Sequence, residues 1–173
     1  ASTVLRNELD SAYRVARTQE SDLWESVPED MVMPAEVVRQ RYLNMRGQLA
    51  EENIEDMPQK AAQFLDPDSP QSYFRPDADG DTMADTIPLK RLQRLRSALL
   101  NEARNASSGS SPNRNRARIA RELADGLLDD MASVDPRESP GTAAFNAART
   151  YSRQLNDRFT RGVVGDVLQT KAR

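Results

Sequence analysis

Three aspartates alternate with other residues in the sequence DADGD, at Asp77, Asp79 and Asp81. Carboxylates in this arrangement on a turn can converge on calcium, as they do in the first half of an EF-hand loop. The rest of that pattern is broken, because Thr82 stands where the sharp turn requires glycine and Pro88 where a bidentate glutamate belongs. The sequence therefore favours a solvated acidic loop over a calcium site, and we predict no metal ligands.

Arginines form the second group of side chains that could bind a ligand. Residues 50–87 contain ten acidic against two basic residues, a local charge of −8, and residues 88–121 contain nine basic residues against Glu102 alone, a local charge of +8. The phosphates of DNA could contact this basic block. Neutralisation by the acidic loop or by an acidic neighbouring protein is favoured, since no aromatic residues alternate with the arginines and the net charge is negative. The candidate DNA or partner contacts are Arg91, Arg94, Arg114, Arg116, Arg118 and Arg121.

The residue types that most catalytic sites require are missing. The chain has no His and no Cys, which excludes Ser-His-Asp and Cys-His sites, zinc fingers, iron-sulfur sites and disulfides. Adjacent carboxylates such as Asp129 and Asp130 point about 100° apart on a helix, so they do not converge on one substrate. We therefore predict a non-enzymatic segment without catalytic residues or a cofactor.

The composition predicts an all-α fold. Ala, Leu, Arg, Glu, Gln and Asp dominate, and β-branched residues are sparse. Only 38% of residues are hydrophobic and 5% aromatic, which leaves limited material for a core. We expect an extended array of amphipathic helices and helical hairpins with Pro- and Asp-rich loops. No apolar run approaches the roughly 18 residues of a membrane-spanning helix.

Residues 1–65 are predicted to form an N-terminal helical region. Apolar spacing and helix-stop signals place a first helix at about 3–26, a second at 34–52 and a short third helix at 58–65. The large ring of Trp24 lies on the apolar stripe of the first helix and is expected to anchor a core. Stacking of this ring on nucleic acid is the less favoured alternative.

An acidic linker rich in Pro and Asp, residues 66–86, precedes a predicted basic helical hairpin at 87–132. Each hairpin helix carries apolar residues at three- and four-residue steps, and the polar loop 107–113 joins them. Two helices that each carry a narrow apolar face and are joined by so short a loop should pack antiparallel. The residues predicted to pack in the hairpin are Leu92, Leu95, Leu99, Ile119, Leu123 and Leu127.

The last predicted region, residues 133–173, contains a C-terminal helix and a tail. Phe145, Leu155 and Phe159 recur at helical spacing, so they share one face of a helix that ends at Gly162. These three side chains are expected to pack against other helices.

Three segments resemble very large tailed-bacteriophage virion proteins of the large polyvalent type, which are packaged in the particle or ejected with the genome. The first is ARTYSRQLNDRFTRG at residues 148–162, and the second combines AYRVAR with LWESVP within residues 12–28. The third is the hairpin sequence IPLKRLQRLRSALLNEAR at 87–104, which closes in LLDDM at 127–131. With the third segment counted as the whole hairpin, residues 87–131, the three cover about half of the chain.

This resemblance implies an internal core or ejection protein that packs against portal, tail or other core proteins. It implies location in the virion after assembly in the bacterial cytoplasm, a homo-oligomeric state, and packaged DNA as a further potential partner. The start at Ala-Ser-Thr without Met suggests a piece of a longer polypeptide. Two alternatives stay open at this point: a nucleic-acid-binding module that uses the Arg-rich hairpin, and a host-derived helical adaptor.

Overall fold

Helices dominate the chain in a computed structural model, which describes residues 2–74, 78–79, 87–108, 110–133 and 142–159. The prediction of an all-α fold is confirmed, since the only strands in these ranges are two short segments that pair antiparallel. The helices are α1 (Ser2–Glu25), α2 (Glu36–Gln48), a 3-10 helix (Glu51–Asp56), α3 (Gln59–Leu65), α4 (Leu89–Ser108), α5 (Arg114–Ser133) and α6 (Thr142–Phe159), and the strands are β1 (Val32–Met33) and β2 (Ile87–Pro88).

The helices belong to two compact units that do not follow the order of the sequence. Unit 1 contains α1 and α6, from the described parts of residues 1–28 and 135–173, and unit 2 contains the described residues between 29 and 133. The predicted N-terminal region 1–65 is thus divided between both units, and α1 pairs with α6 from the other end of the chain. Local sequence patterns do not reveal such a pairing, because they show which face of a helix is apolar but not which helix covers it.

Unit 1 is held together around Trp24, which is 2% exposed. Its indole N–H donates a hydrogen bond of 2.8 Å to the hydroxyl of Ser152, and its ring meets the ring of Phe145 edge-on with centroids 6.1 Å apart. A ring enclosed in this way cannot offer a face to a ligand, so its stabilising role is that of a core residue.

A second cluster in unit 1 joins Tyr13 of α1 to Leu155 and Phe159 of α6. The rings of Tyr13 and Phe159 also meet edge-on, with centroids 5.3 Å apart. The predicted packing residues of the C-terminal helix, Phe145, Leu155 and Phe159, are therefore all buried between α1 and α6. The predicted helix end at Gly162 lies outside the described residues.

Unit 2 is built on the hairpin of α4 and α5. The Asn113 N–H donates to the Ala106 carbonyl at 2.9 Å across the connection, so the two helices run back along each other. All six residues predicted to pack in the hairpin are at most 2% exposed: Leu92, Leu95, Leu99, Ile119, Leu123 and Leu127.

Helix α2 packs against α5 at Gly126. A Cβ atom at this position would lie 3.0 Å from the Cδ of Arg41 and 3.3 Å from the Cα of Val38. The absence of a side chain therefore lets the two backbones approach more closely than any other residue would allow.

Two predicted helix boundaries are shifted in the structure. Helix α2 begins at Glu36 rather than at Pro34, because the backbone just before it pairs with β2, with Met33 opposite Ile87. It ends at Gln48 and is followed by the separate 3-10 helix at 51–56. A strand of two residues is too short to leave an alternating pattern in the sequence.

The first part of the predicted acidic linker is docked on unit 2. The carboxylate of Asp66 accepts hydrogen bonds from the Tyr42 hydroxyl at 2.7 Å and from the Arg46 guanidinium at 2.8 Å. Burial and the bond to Asp66 raise the pKa of Tyr42, so its hydroxyl stays a donor. The chain turns back at this point toward α3.

Candidate functional site

A groove in unit 2 lies between α3, the turn that follows it and the start of α4. The Tyr73 N–H donates to the Phe64 carbonyl at 2.9 Å, which brings their side chains together. The two rings stack with centroids 5.2 Å apart and 18° between their planes, and both are partly exposed. Leu95 and Ala98 of α4 supply apolar lining to a groove of about 630 Å³.

Three cationic side chains surround this aromatic pair. The Lys60 ammonium lies 5.7 Å from the centre of the Phe64 ring, and Arg91 and Arg94 lie three residues apart on α4. Both arginines are exposed, and neither has a carboxylate partner within the described ranges. None of the twelve described lining residues is Asp or Glu. The charged side chains in the described lining of the groove are therefore all cationic, and Arg91 and Arg94 can donate to an anion.

The phenol of Tyr73 belongs to the same electrostatic environment. Burial raises the pKa of Tyr73, and the positive charges of Arg91 and Arg94 offset part of that rise. The hydroxyl therefore keeps its proton near neutral pH and can donate a hydrogen bond to an anion that reaches the two arginines.

The four candidate arginines of α5 are placed differently. Arg121 donates to the Ser107 hydroxyl at 3.0 Å, and Arg118 forms an ion pair of 2.7 Å with Glu122. Arg116 donates through Nε to the Glu55 carbonyl at 2.9 Å, and its terminal nitrogen contacts the same oxygen. Arg114 is exposed.

The six predicted contact arginines do not form one surface. The bond between Arg121 and Ser107 places the α5 group beside the last turn of α4, whereas Arg91 and Arg94 lie in its first turns. Thirteen residues of helix from Arg94 to Ser107 correspond to about 20 Å along the axis. A single basic block in the sequence therefore becomes two separate basic groups at opposite ends of the hairpin.

Part of the acidic block is held against the start of α5. The Asp56 carboxylate accepts from the Asn115 amide at 2.8 Å and from the Asn113 amide at 2.7 Å. The pKa of Asp56 is lowered by the bonds from Asn115 and Asn113. The 3-10 helix thus brings a carboxylate and the Glu55 carbonyl to Arg116, which provides local neutralisation within the chain.

Two carboxylates of the hairpin bind the starts of other helices. The oxygens of Glu102 accept from the Gln59 and Lys60 N–H groups, both at 2.8 Å, at the start of α3. Asp130 accepts from Val37 and Val38 in the same way at the start of α2. Glu102 therefore fixes α3 on α4 and so positions one wall of the groove.

Neither helix start has a side-chain cap of its own, since Ala35 and Pro58 occupy the N-cap positions. Sequence analysis missed Glu102 and Asp130 because a cap is sought next to the helix it serves. It also missed Lys60, Phe64 and Tyr73, which are separated from the arginines by the acidic segment. A basic residue four positions before an aromatic one on a short helix was the only available signal.

The predicted acidic loop supplies no metal site in the described part of the chain. Asp77 and Asp81 lie outside the described residues, and Asp79 is in an exposed turn. The described ranges contain no group of three His, Cys, Asp or Glu residues that could hold a metal ion. The neighbours Asp129 and Asp130 bind different groups. Asp129 pairs with Arg41, and Asp130 accepts from the start of α2.

None of the described helices has the length and apolar character needed to cross a membrane. Comparison with protein families, curated proteins and solved structures gave no match for this chain. The function is therefore inferred from the residues and their geometry.

Proposed function

We propose that this chain is a structural segment of a tailed-phage virion protein, an internal core or ejection protein that acts by packing rather than by catalysis. Its proposed location is the virion, and its proposed partners are portal, tail or other core proteins together with further copies of itself. The three segments that resemble such proteins support this proposal. They include most of α6 and of the hairpin, which contribute buried residues to unit 1 and unit 2.

The observation that carries the proposal is the structural use of the hairpin's charged side chains. Asp130 and Glu102 bind the starts of α2 and α3, and Arg116 binds the 3-10 helix. The hydrogen bonds of these charged groups hold the helices of unit 2 together, which is what a protein that acts by packing requires. Exposed apolar side chains on α1, Val4 at 62% and Leu5 at 51%, add surface that a protein partner can bury.

A nucleic-acid module that uses all six hairpin arginines has weaker support. The two basic groups lie about 20 Å apart along α4, and three of the four arginines on α5 already bind groups of this chain. A surface that tracks a phosphate backbone would instead present its cations side by side.

Quantitative mass spectrometry of purified particles tests the proposal. Particles released from a host that carries the gene should contain peptides of this chain at a fixed ratio to the portal protein. Particles that have ejected their genome separate the two subclasses, since an ejection protein is lost with the DNA and a core protein of the shell is retained.

A second measurement tests the packing role itself. Replacing Leu99, which is fully buried, by Asp should abolish incorporation, whereas replacing the exposed Arg114 by Gln should leave it unchanged. The proposal is wrong if the wild-type chain is abundant in the lysate and missing from particles that carry their full set of structural proteins.

A further inference from the structure

The groove beside Tyr73 has the properties of a ligand site that the packing role does not require. Its cations Lys60, Arg91 and Arg94 surround an aromatic pair, and its described lining contains no carboxylate. Arg91 and Arg94 have no carboxylate partner among the described residues and lie next to a partly exposed aromatic pair. This combination favours an anionic ligand that also carries a flat ring.

We propose that this groove binds single-stranded nucleic acid, with one base against the Phe64–Tyr73 ring pair and the adjoining phosphates held by Arg91 and Arg94. The inference goes beyond the packing role and does not depend on it. It also uses residues of α3 and of the turn after it, which the hairpin alone would not supply.

The geometry of the two arginines suits phosphate. Residues three apart on a helix have Cβ atoms about 5–6 Å from each other, so both guanidinium groups can reach one phosphate or two consecutive ones. Each planar guanidinium can donate two parallel hydrogen bonds to phosphate oxygens. The protonated Tyr73 hydroxyl lies in the field of the same arginines and adds a neutral donor.

The aromatic pair distinguishes a single strand from the other anions. In a duplex the bases are already stacked on each other, whereas a single strand can place an unstacked base on a protein ring. A groove of about 630 Å³ is of the size that small ligands occupy. A carboxylate-rich peptide would satisfy the cations, but its acidic side chains have no ring to place on Phe64 and Tyr73.

The test uses the full chain and a fluorescein-labelled oligothymidylate of about 8 nucleotides, within the site sizes of single-strand binders. Fluorescence anisotropy gives the Kd at several salt concentrations. The same measurement is made with an abasic oligomer of equal length and with a polyaspartate peptide. Helical circular dichroism and the Tm of every variant establish that it is folded.

Two variants change the groove, and a third is their matched control. Arg91→Gln with Arg94→Gln removes the phosphate contacts, and Phe64→Leu with Tyr73→Leu removes the rings but keeps apolar bulk. Arg114→Gln with Arg118→Gln removes the same charge from the opposite end of the hairpin. We expect the first variant to weaken binding about tenfold or more and to lower the slope of log K against log salt by about 1.4.

The ring variant should weaken binding of oligothymidylate at least about fivefold and leave binding of the abasic oligomer unchanged. The proposal is overturned if wild-type chain does not bind oligothymidylate, or if the two arginine variants weaken binding equally. Equal affinity for the abasic oligomer would show that no base stacks there. Binding of polyaspartate without binding of either oligomer would identify the groove as a site for acidic peptides instead.

Discussion

The Asp130 carboxylate accepts a hydrogen bond of 2.9 Å from the backbone N–H of Val38, although 92 residues separate them in the sequence. The other carboxylate oxygen accepts from Val37 at 2.8 Å, and Asp130 is only 1% exposed. Helix α5 therefore supplies the cap that α2 lacks, and it places a negative charge at the positive end of the α2 dipole.

Replacing Asp130 by Ala should lower the free energy of unfolding by about 1–3 kcal/mol, because the buried N–H of Val38 and the part-buried N–H of Val37 lose their acceptor. Urea unfolding followed by circular dichroism measures this difference. The control is Asp129→Ala, which removes a half-exposed carboxylate paired with Arg41 and should destabilise by less than about 1 kcal/mol. If both variants lose the same free energy of unfolding, the Asp130 cap stabilises the chain no more than the exposed ion pair does.

The pH dependence of stability should contain a contribution from Asp56. Hydrogen bonds from Asn115 and Asn113 lower its pKa in the folded chain, so the folded state binds fewer protons than the unfolded state in this range. The stabilisation is present above the ordinary aspartate pKa of about 3.9 and is lost as pH falls through the lower folded value.

The measurement is a comparison of urea midpoints for wild type and Asp56→Asn between about pH 6 and pH 2.5. The wild-type advantage should shrink on acidification. An advantage that stays constant over this range would contradict the lowered pKa of Asp56.

The close approach at Gly126 predicts that a side chain there is not tolerated. Gly126→Leu should destabilise the chain by about 1–3 kcal/mol, because the new side chain would overlap Arg41 and the backbone of Val38. The matched control is Gly47→Ala in α2, where a Cβ meets no atom within 4 Å. That change should stabilise by up to about 1 kcal/mol, since alanine favours the helix. Thermal unfolding measures the change in Tm of each variant. We expect Gly126→Leu to lower the Tm and Gly47→Ala to raise it.

The bond between Trp24 and Ser152 should appear as an energetic coupling. Ser152→Ala leaves the buried indole N–H without an acceptor and should lower stability by about 1–3 kcal/mol. Combining it with Trp24→Phe, which removes the donor, should cost less than the two single changes added together. Tyr151→Phe is the control, because its hydrogen bond to Gln19 is exposed. If the losses in free energy of unfolding for Ser152→Ala and Trp24→Phe are strictly additive, the two residues are not coupled.

The hairpin could be predicted from the sequence because its information is local. Leucines such as Leu92, Leu95 and Leu99 repeat at helical spacing, and a short polar loop leads to a second helix with an equivalent stripe. The partners of α1 and α2 could not be predicted in this way. They are chosen by fit and by contacts such as Asp130 with Val38, which leave no periodic signal.

The groove could not be predicted from the sequence for a related reason. Arginines and aromatic residues do not alternate along the hairpin, and this absence argued against a nucleic-acid site. The structure brings Phe64 and Tyr73 to Arg91 and Arg94 from an earlier part of the chain. A pattern read along one element therefore misses a site that two elements build together.

The division of unit 1 between the two ends of the sequence affects how the chain folds during synthesis. Unit 2 is an insertion between α1 and α6, and it can complete its own core while α6 is still being translated. Until α6 is translated, the apolar face of α1 lacks the rings of Phe145 and Phe159, which pack on Trp24 and Tyr13 in the folded chain. We expect ribosome-bound chains that stop before α6 to engage chaperones through α1, although unit 2 in the same chains is already folded.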